Sequence, residues 1–157
     1  MQNTILTNNW NAYADGANGG AFDIYKNASG KGFTLELTNC TIKNCYAKES
    51  GSAIYFVDSY NNGSSITMTD CDVTNCFVYA SGGQNGLGGT IRTLSSNYAS
   101  FTMNGCNMYG NYSVRGGALL WNAARAPKPH LENCSFTDNW EKSIVGSALY
   151  IQGSMNR

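Results

Sequence analysis

Asn133-Cys134-Ser135-Phe136-Thr137-Asp138-Asn139-Trp140, followed shortly by Gly146-Ser147-Ala148-Leu149-Tyr150, decides the fold, because the chain writes this pair of phrases five times. Cys134 has counterparts at Cys106, Cys71 and Cys40, with Thr4 in the matching place near the start. The second phrase returns as Gly19-Gly20-Ala21-Phe22, Gly51-Ser52-Ala53-Ile54, Gly88-Gly89-Thr90-Ile91 and Gly116-Gly117-Ala118-Leu119. Two landmarks that drift together at intervals of 28, 35 and 31 residues mark a repeat architecture.

Within each repeat the apolar residues alternate with polar ones, a period of two rather than 3.6. Leu35 and Leu37 alternate with Thr34, Glu36 and Thr38; Cys40 and Ile42 follow a turn at Asn39; Ile54 and Phe56 flank Tyr55. No window carries helical spacing, which excludes the helical solenoids. A propeller blade needs four strands in about 40–45 residues, more than these repeats hold. The expected fold is therefore all-β: a right-handed parallel β-helix of about five coils, each of three short strands, without a capping helix. It occupies residues 1–157 as a single domain.

Gly-Gly-Ala-Ile/Leu and Phe-x-x-Asn, paired in this way, resemble the repeats of the polymorphic outer-membrane protein family, whose members are autotransporter adhesins. They are equally similar to the right-handed β-helix repeats of pectin-lyase-like proteins. Phe136 to Asn139 matches Phe-x-x-Asn outright; Met108 to Asn111 and Leu6 to Asn9 match with another apolar residue, and Ile42 to Cys45 and Val73 to Cys76 carry Cys for Asn. The resemblance implies a coil and a cell-surface or extracellular setting; it names no active site.

Net charge is zero and only 13% of residues are charged, so there is no electrostatic footprint for nucleic acid. No stretch is apolar enough for direct membrane insertion, and the first residues lack the basic start and apolar run of a signal peptide. Start and finish fall at nearly the same phase of the coil. That leaves two expectations open: neighbouring coils once flanked this segment of a longer chain, or copies stack end to end as filament subunits.

Stacked coils lay like residues about 4.8 Å apart, which defines files of side chains. The expected interior files are Leu35-Ile66-Phe101-Pro129, Met1-Leu37-Met68-Met103-Leu131, Leu6-Ile42-Val73-Met108-Phe136, Phe22-Ile54-Ile91-Leu119-Leu149 and Ile24-Phe56-Thr93-Trp121-Ile151. Asp23, Tyr55, Arg92, Leu120 and Tyr150 form an outward file of changing chemistry. Cys40, Cys71, Cys106 and Cys134 form one cysteine file; Cys45 and Cys76 share a second with Asn9, Asn111 and Asn139, whose amides are expected to stack. Parallel Cβ directions disfavour disulfides between neighbours, so reduced, buried thiols are expected. Without Cys-x-x-Cys or Cys/His spacing, and with His130 the one histidine, no metal site is expected.

The position after the second file is aromatic in every repeat: Trp10, Tyr46, Phe77, Tyr112 and Trp140. Such a row either packs over a corner of the coil or presents flat apolar faces to sugars, for example host or matrix glycans. Polysaccharide lyases of similar fold use clustered Asp for calcium beside an Arg or Lys. Here Asp70 and Asp72 flank Cys71, with Asp58 read as part of the preceding loop, and no carboxylates pile up on adjacent coils. No catalytic residues and no cofactor are expected. A long loop is expected at 78–87, and the sequons at Asn27 and Asn62 fall in loops.

The expected function is a non-catalytic structural or adhesive module of an extracellular or cell-surface protein; the alternative is a carbohydrate-binding or polysaccharide-lyase-like module.

Overall fold

The computed structural model describes the chain apart from residues 12–15, 27–29, 59–62, 80–87, 96–98, 124–128, 143–145 and 153–157. Every strand pairs in parallel with the equivalent strand one repeat away, and the strands build four sheets that enclose one core, a β-solenoid. No helix occurs among the described residues. Face I holds Thr34–Thr38, Ser65–Thr69, Ser100–Asn104 and His130–Glu132. Face II holds Ile5–Thr7, Thr41–Lys43, Asp72–Thr74, Asn107–Tyr109 and Ser135–Thr137. Face III holds Trp10–Asn11, Tyr46–Ala47, Phe77–Val78, Tyr112–Ser113 and Trp140–Glu141. Face IV holds Phe22–Lys26, Ile54–Asp58, Ile91–Ser95, Leu119–Ala123 and Leu149–Gln152. The expectation of three strands per repeat is thus corrected to four, because the aromatic corner forms a two-residue strand of its own. Level with Face I at the start, a single bridge joins Gln2 to Thr38.

Two sharp corners separate the first three faces, and their sequence is chosen by backbone geometry. Asn3, Asn39, Asp70, Gly105 and Asn133 turn the chain from Face I to Face II with φ between 48° and 65°. Asn8, Asn44, Asn75, Gly110 and Asp138 do the same from Face II to Face III. Glycine, asparagine and aspartate enter this left-handed region at least cost. Where the next residue is cysteine, or threonine at position 4, it caps the carbonyl two positions back. Cys40 Sγ donates to Thr38 O at 3.3 Å, Cys71 to Thr69 O at 3.2 Å, Cys76 to Thr74 O at 3.4 Å and Cys134 to Glu132 O at 3.1 Å. Thr4 Oγ1 donates to Gln2 O at 2.8 Å in the same way. The recurring Asn-Cys and Asp-Cys pairs are therefore corner pieces, which explains why Thr4 replaces a cysteine without disturbing the turn.

The interior files have the expected register. Leu37, Met68, Met103 and Leu131 are partners, as are Leu6, Ile42, Val73, Met108 and Phe136. On Face IV, Phe22, Ile54, Ile91, Leu119 and Leu149 align, and beside them Ile24, Phe56, Thr93, Trp121 and Ile151. In the middle tiers these side chains are almost wholly enclosed: Ile42, Met68, Val73, Met103 and Leu119 show no exposed surface. Each large side chain so buried contributes about 1.5–3 kcal/mol. Pro129, expected in the first file, lies half-buried just before its strand; Pro127 lies outside the described residues.

Two further expectations are corrected. Asp58 is no loop residue: it ends a Face IV strand and is fully buried. The loop placed at 78–87 starts later, since Val78 is a buried strand residue; the rest of it, beyond the exposed Tyr79, lies outside the described residues, as do Asn27 and Asn62.

Candidate functional site

The aromatic file is assembled by Face III. Register pairs Trp10 with Tyr46, Tyr46 with Phe77, Phe77 with Tyr112, and Tyr112 with Trp140. All five rings therefore line one edge of the solenoid. Trp10 is 75% exposed, Phe77 49% and Trp140 68%, while Tyr46 and Tyr112 are half-buried. Ring centroids lie 5.6 Å apart in Trp10–Tyr46 and 5.7 Å apart in Phe77–Tyr112, with planes tilted by 39° and 33°. In two of the pairs the rings lean on one another, and the row keeps part of its surface open to solvent. The corner residue two places before four of the five rings adds a polar margin: Asn8, Asn44, Asn75 and Asp138 are exposed there, and Gly110 precedes Tyr112. Tyr109, 49% exposed on Face II, widens the apolar strip.

Behind the rings runs the second file, and it explains the Phe-x-x-Asn motif. Asn111 is fully buried; its Oδ1 accepts from Cys76 N at 3.0 Å and its Nδ2 donates to Val73 O at 2.8 Å. Asn139 repeats this one tier on, accepting from Asn111 N at 3.1 Å and donating to Met108 O at 2.8 Å. Asn111 Nδ2 also donates to Asn139 Oδ1 at 3.0 Å, so the amides do stack along the axis. Each clamp grips the preceding tier at two backbone groups three residues apart, the separation of the motif itself. Asn111 belongs to a sequon, yet its amide is wholly enclosed.

All six cysteines are free thiols, five of them buried and Cys134 half-buried. The sulfur contact with Cys45, and then burial, push the Cys76 thiol up; contact with Cys71 and burial do the same to Cys106. The same sulfur contacts draw the Cys45 and Cys71 thiols down, to about 6, so each pair holds one lowered and one raised thiol. Among the described residues, no three His, Cys, Asp or Glu side chains gather as a metal site.

The carboxylates considered for lyase chemistry have structural surroundings. Asp70 is a left-handed corner residue equivalent to Asn39 and Asn133. Asp72 Oδ1 accepts from Asn107 Nδ2 at 2.9 Å, and Ser135 Oγ donates to Asn107 Oδ1 at 2.6 Å, so a polar ladder runs up Face II.

The sequence reading missed the outer layer over Face IV. The file Asp23, Tyr55, Arg92, Leu120, Tyr150 has the expected register, but Arg92 and Leu120 are buried rather than outward-facing in solvent. Glycine turns fold back over this file in the first four repeats: a Cβ at Gly51 would press on Tyr55 Cβ at 2.7 Å, one at Gly116 on Leu120 Cβ at 2.9 Å and one at Gly89 on Leu120 Cβ at 2.8 Å. Arg92 stacks over the Tyr55 ring at 5.6 Å and donates through Nη1 to Ser50 Oγ; Arg115 sits 5.4 Å over Tyr150. Burial lowers the pKa of Arg92 and raises those of Tyr55 and Asp23. The turn residues are small in every repeat, and the fold of the turn sets what they cover.

No protein-family model matches this chain, and neither a curated protein nor a solved structure does.

Proposed function

We propose that this β-solenoid is a non-catalytic structural and adhesive module of an extracellular or cell-surface protein, with the aromatic edge of Face III as its adhesive surface. The observation that supports it is the exposure of Trp10, Phe77 and Trp140 in one register-aligned file. The paired Gly-Gly-Ala-Ile/Leu and Phe-x-x-Asn phrases, which resemble those of polymorphic outer-membrane adhesins and pectin-lyase-like β-helices, agree with that setting.

The same strip favours a glycan as the ligand. A pyranose presents an apolar face that rests on an aromatic ring, while its hydroxyls seek amides and carboxylates such as those of Asn44, Asn75 and Asp138. A glycan array probed with the purified chain is expected to give binding that Phe77→Ala and Trp140→Ala each weaken about tenfold, at one aromatic contact of roughly 1–1.5 kcal/mol. Neither variant should shift the melting temperature by more than a few degrees. Arrays of glycans and matrix proteins that stay blank would remove the adhesive reading. Unsaturated products from a pectin-like polymer with calcium would replace it with a lyase.

A further inference from the structure

We infer that the aromatic edge takes an unbranched, neutral β-1,4-linked glycan laid parallel to the solenoid axis, one sugar to each tier. This rests on the adhesive reading above and names the linkage that the edge selects. Face III fixes the direction. Each of its strands contributes one ring, and the rings are register partners from Trp10 to Trp140, so they rise as a straight rank at about 4.8 Å per tier. The residue after the ring turns to the core: Ala47, Val78 and Ser113 are fully buried. Phe77 lies in the middle tier with a paired strand on either side, and it is still 49% exposed. Solvent therefore reaches the rank between complete tiers.

The rank also has a longer period. Trp10 leans on Tyr46 at 5.6 Å and Phe77 on Tyr112 at 5.7 Å, so the rings couple in twos and the platform repeats every second tier, about 10 Å. An extended β-1,4-linked chain of pyranoses has both spacings. It advances by about one tier per sugar, and each sugar is turned over relative to the last, so the pattern returns with every disaccharide. Its equatorial linkages keep the flat faces of the sugars along one line, where they rest on aromatic rings. The slightly longer step of the sugar sums to less than half a ring over five tiers. An α-1,4-linked chain coils and a β-1,3-linked chain winds into a helix, so either one leaves a straight rank after a few rings.

The margin decides the charge. Asn8, Asn44, Asn75 and Asp138 are exposed at the corner beside the rings, one to a tier, and Gly110 completes the file. Amides both donate and accept, as hydroxyl and acetamido groups require. The one charge in this corner file is negative, and the file holds no lysine or arginine. Like charges facing one another are costly, so the file disfavours a polyuronate and suits a neutral chain.

Isothermal titration calorimetry of the whole chain with hexasaccharides tests it. The probes are β-1,4-linked glucose, N-acetylglucosamine and mannose, α-1,4-linked glucose and β-1,3-linked glucose. At least one β-1,4 hexasaccharide is expected to bind about tenfold or more tighter than the other two linkages. Its affinity should rise with length from the disaccharide to the pentasaccharide. Phe77→Ala should weaken that hexasaccharide about tenfold and leave the melting temperature within a few degrees. Tighter binding of the α-1,4 or β-1,3 chain, itself weakened by Phe77→Ala, would overturn this inference and leave the adhesive reading standing. Affinity that stops rising at the disaccharide would overturn it as well. Silence from all five probes would also overturn it, and the array of glycans and matrix proteins then decides the adhesive reading by itself.

Discussion

Replacing Gly117 by alanine is expected to cost roughly 3 kcal/mol or more and to release the last tier from the one beneath it. Gly117 has φ +40°, a left-handed backbone, and an added Cβ would fall on the Ser147 carbonyl of the next tier. That carbonyl accepts from Ala118 N at 3.0 Å, and Gly117 O itself accepts from Thr90 N at 3.0 Å, so three tiers meet at this residue. The left-handed backbone contributes about 1–2 kcal/mol, and a displaced buried carbonyl about 1–3 kcal/mol more. Gly63 makes the control: its φ is +68° but a Cβ there meets nothing within 4 Å, so Gly63→Ala carries the backbone cost alone. Urea unfolding followed by circular dichroism separates the two. Equal losses from both substitutions would show that the turn does not press against its neighbour. Because a solenoid is held by nearest-neighbour terms, the Gly117 variant should also lose amide protection from the last tier inward.

Asn111→Leu is expected to destabilise by about 3–5 kcal/mol although it adds apolar surface to a buried site. It strands the Cys76 N–H and the Val73 carbonyl, each worth about 1–3 kcal/mol when buried without a partner, and it breaks the amide stack to Asn139. Asn111→Cys should cost about half as much or less, because Cys45 and Cys76 already occupy this file and satisfy their thiols on Lys43 O and Thr74 O. The ordering Leu worse than Cys is the diagnostic, read from urea midpoints. A leucine variant as stable as the parent would mean that burial, and not the clamp, sets this position.

The interior was legible because period-two alternation and the two repeated phrases locate each tier independently. Leu37, Met68 and Met103 could be aligned across insertions by the cysteine three residues beyond each. The corner asparagines were legible for the same reason, since few other residues turn at φ near 50°. The fourth strand was not. Tyr46-Ala47 and its equivalents are two residues long, too short for any alternation to show. The burial of Arg92 and Leu120 was hidden too, because on Face IV the outward position alternates correctly and only the fold-back of the glycine turn takes it out of solvent. In the candidate site the row Trp10, Tyr46, Phe77, Tyr112, Trp140 was plain in the sequence. Its exposure was not, since alternation gives direction and not what lies beyond. The clamp geometry was half visible: stacked amides followed from the file, whereas the reach to the carbonyl three residues back needed coordinates.

Every inference rests on neighbouring repeats lying in parallel and in register. Methyl–methyl nuclear Overhauser contacts in the selectively labelled chain measure this most directly. The account predicts an unbroken series from Leu6 to Ile42, Ile42 to Val73, and Val73 to Met108. Val73 without contact to Ile42 and Met108, or in contact with residues one position out of register, would contradict it.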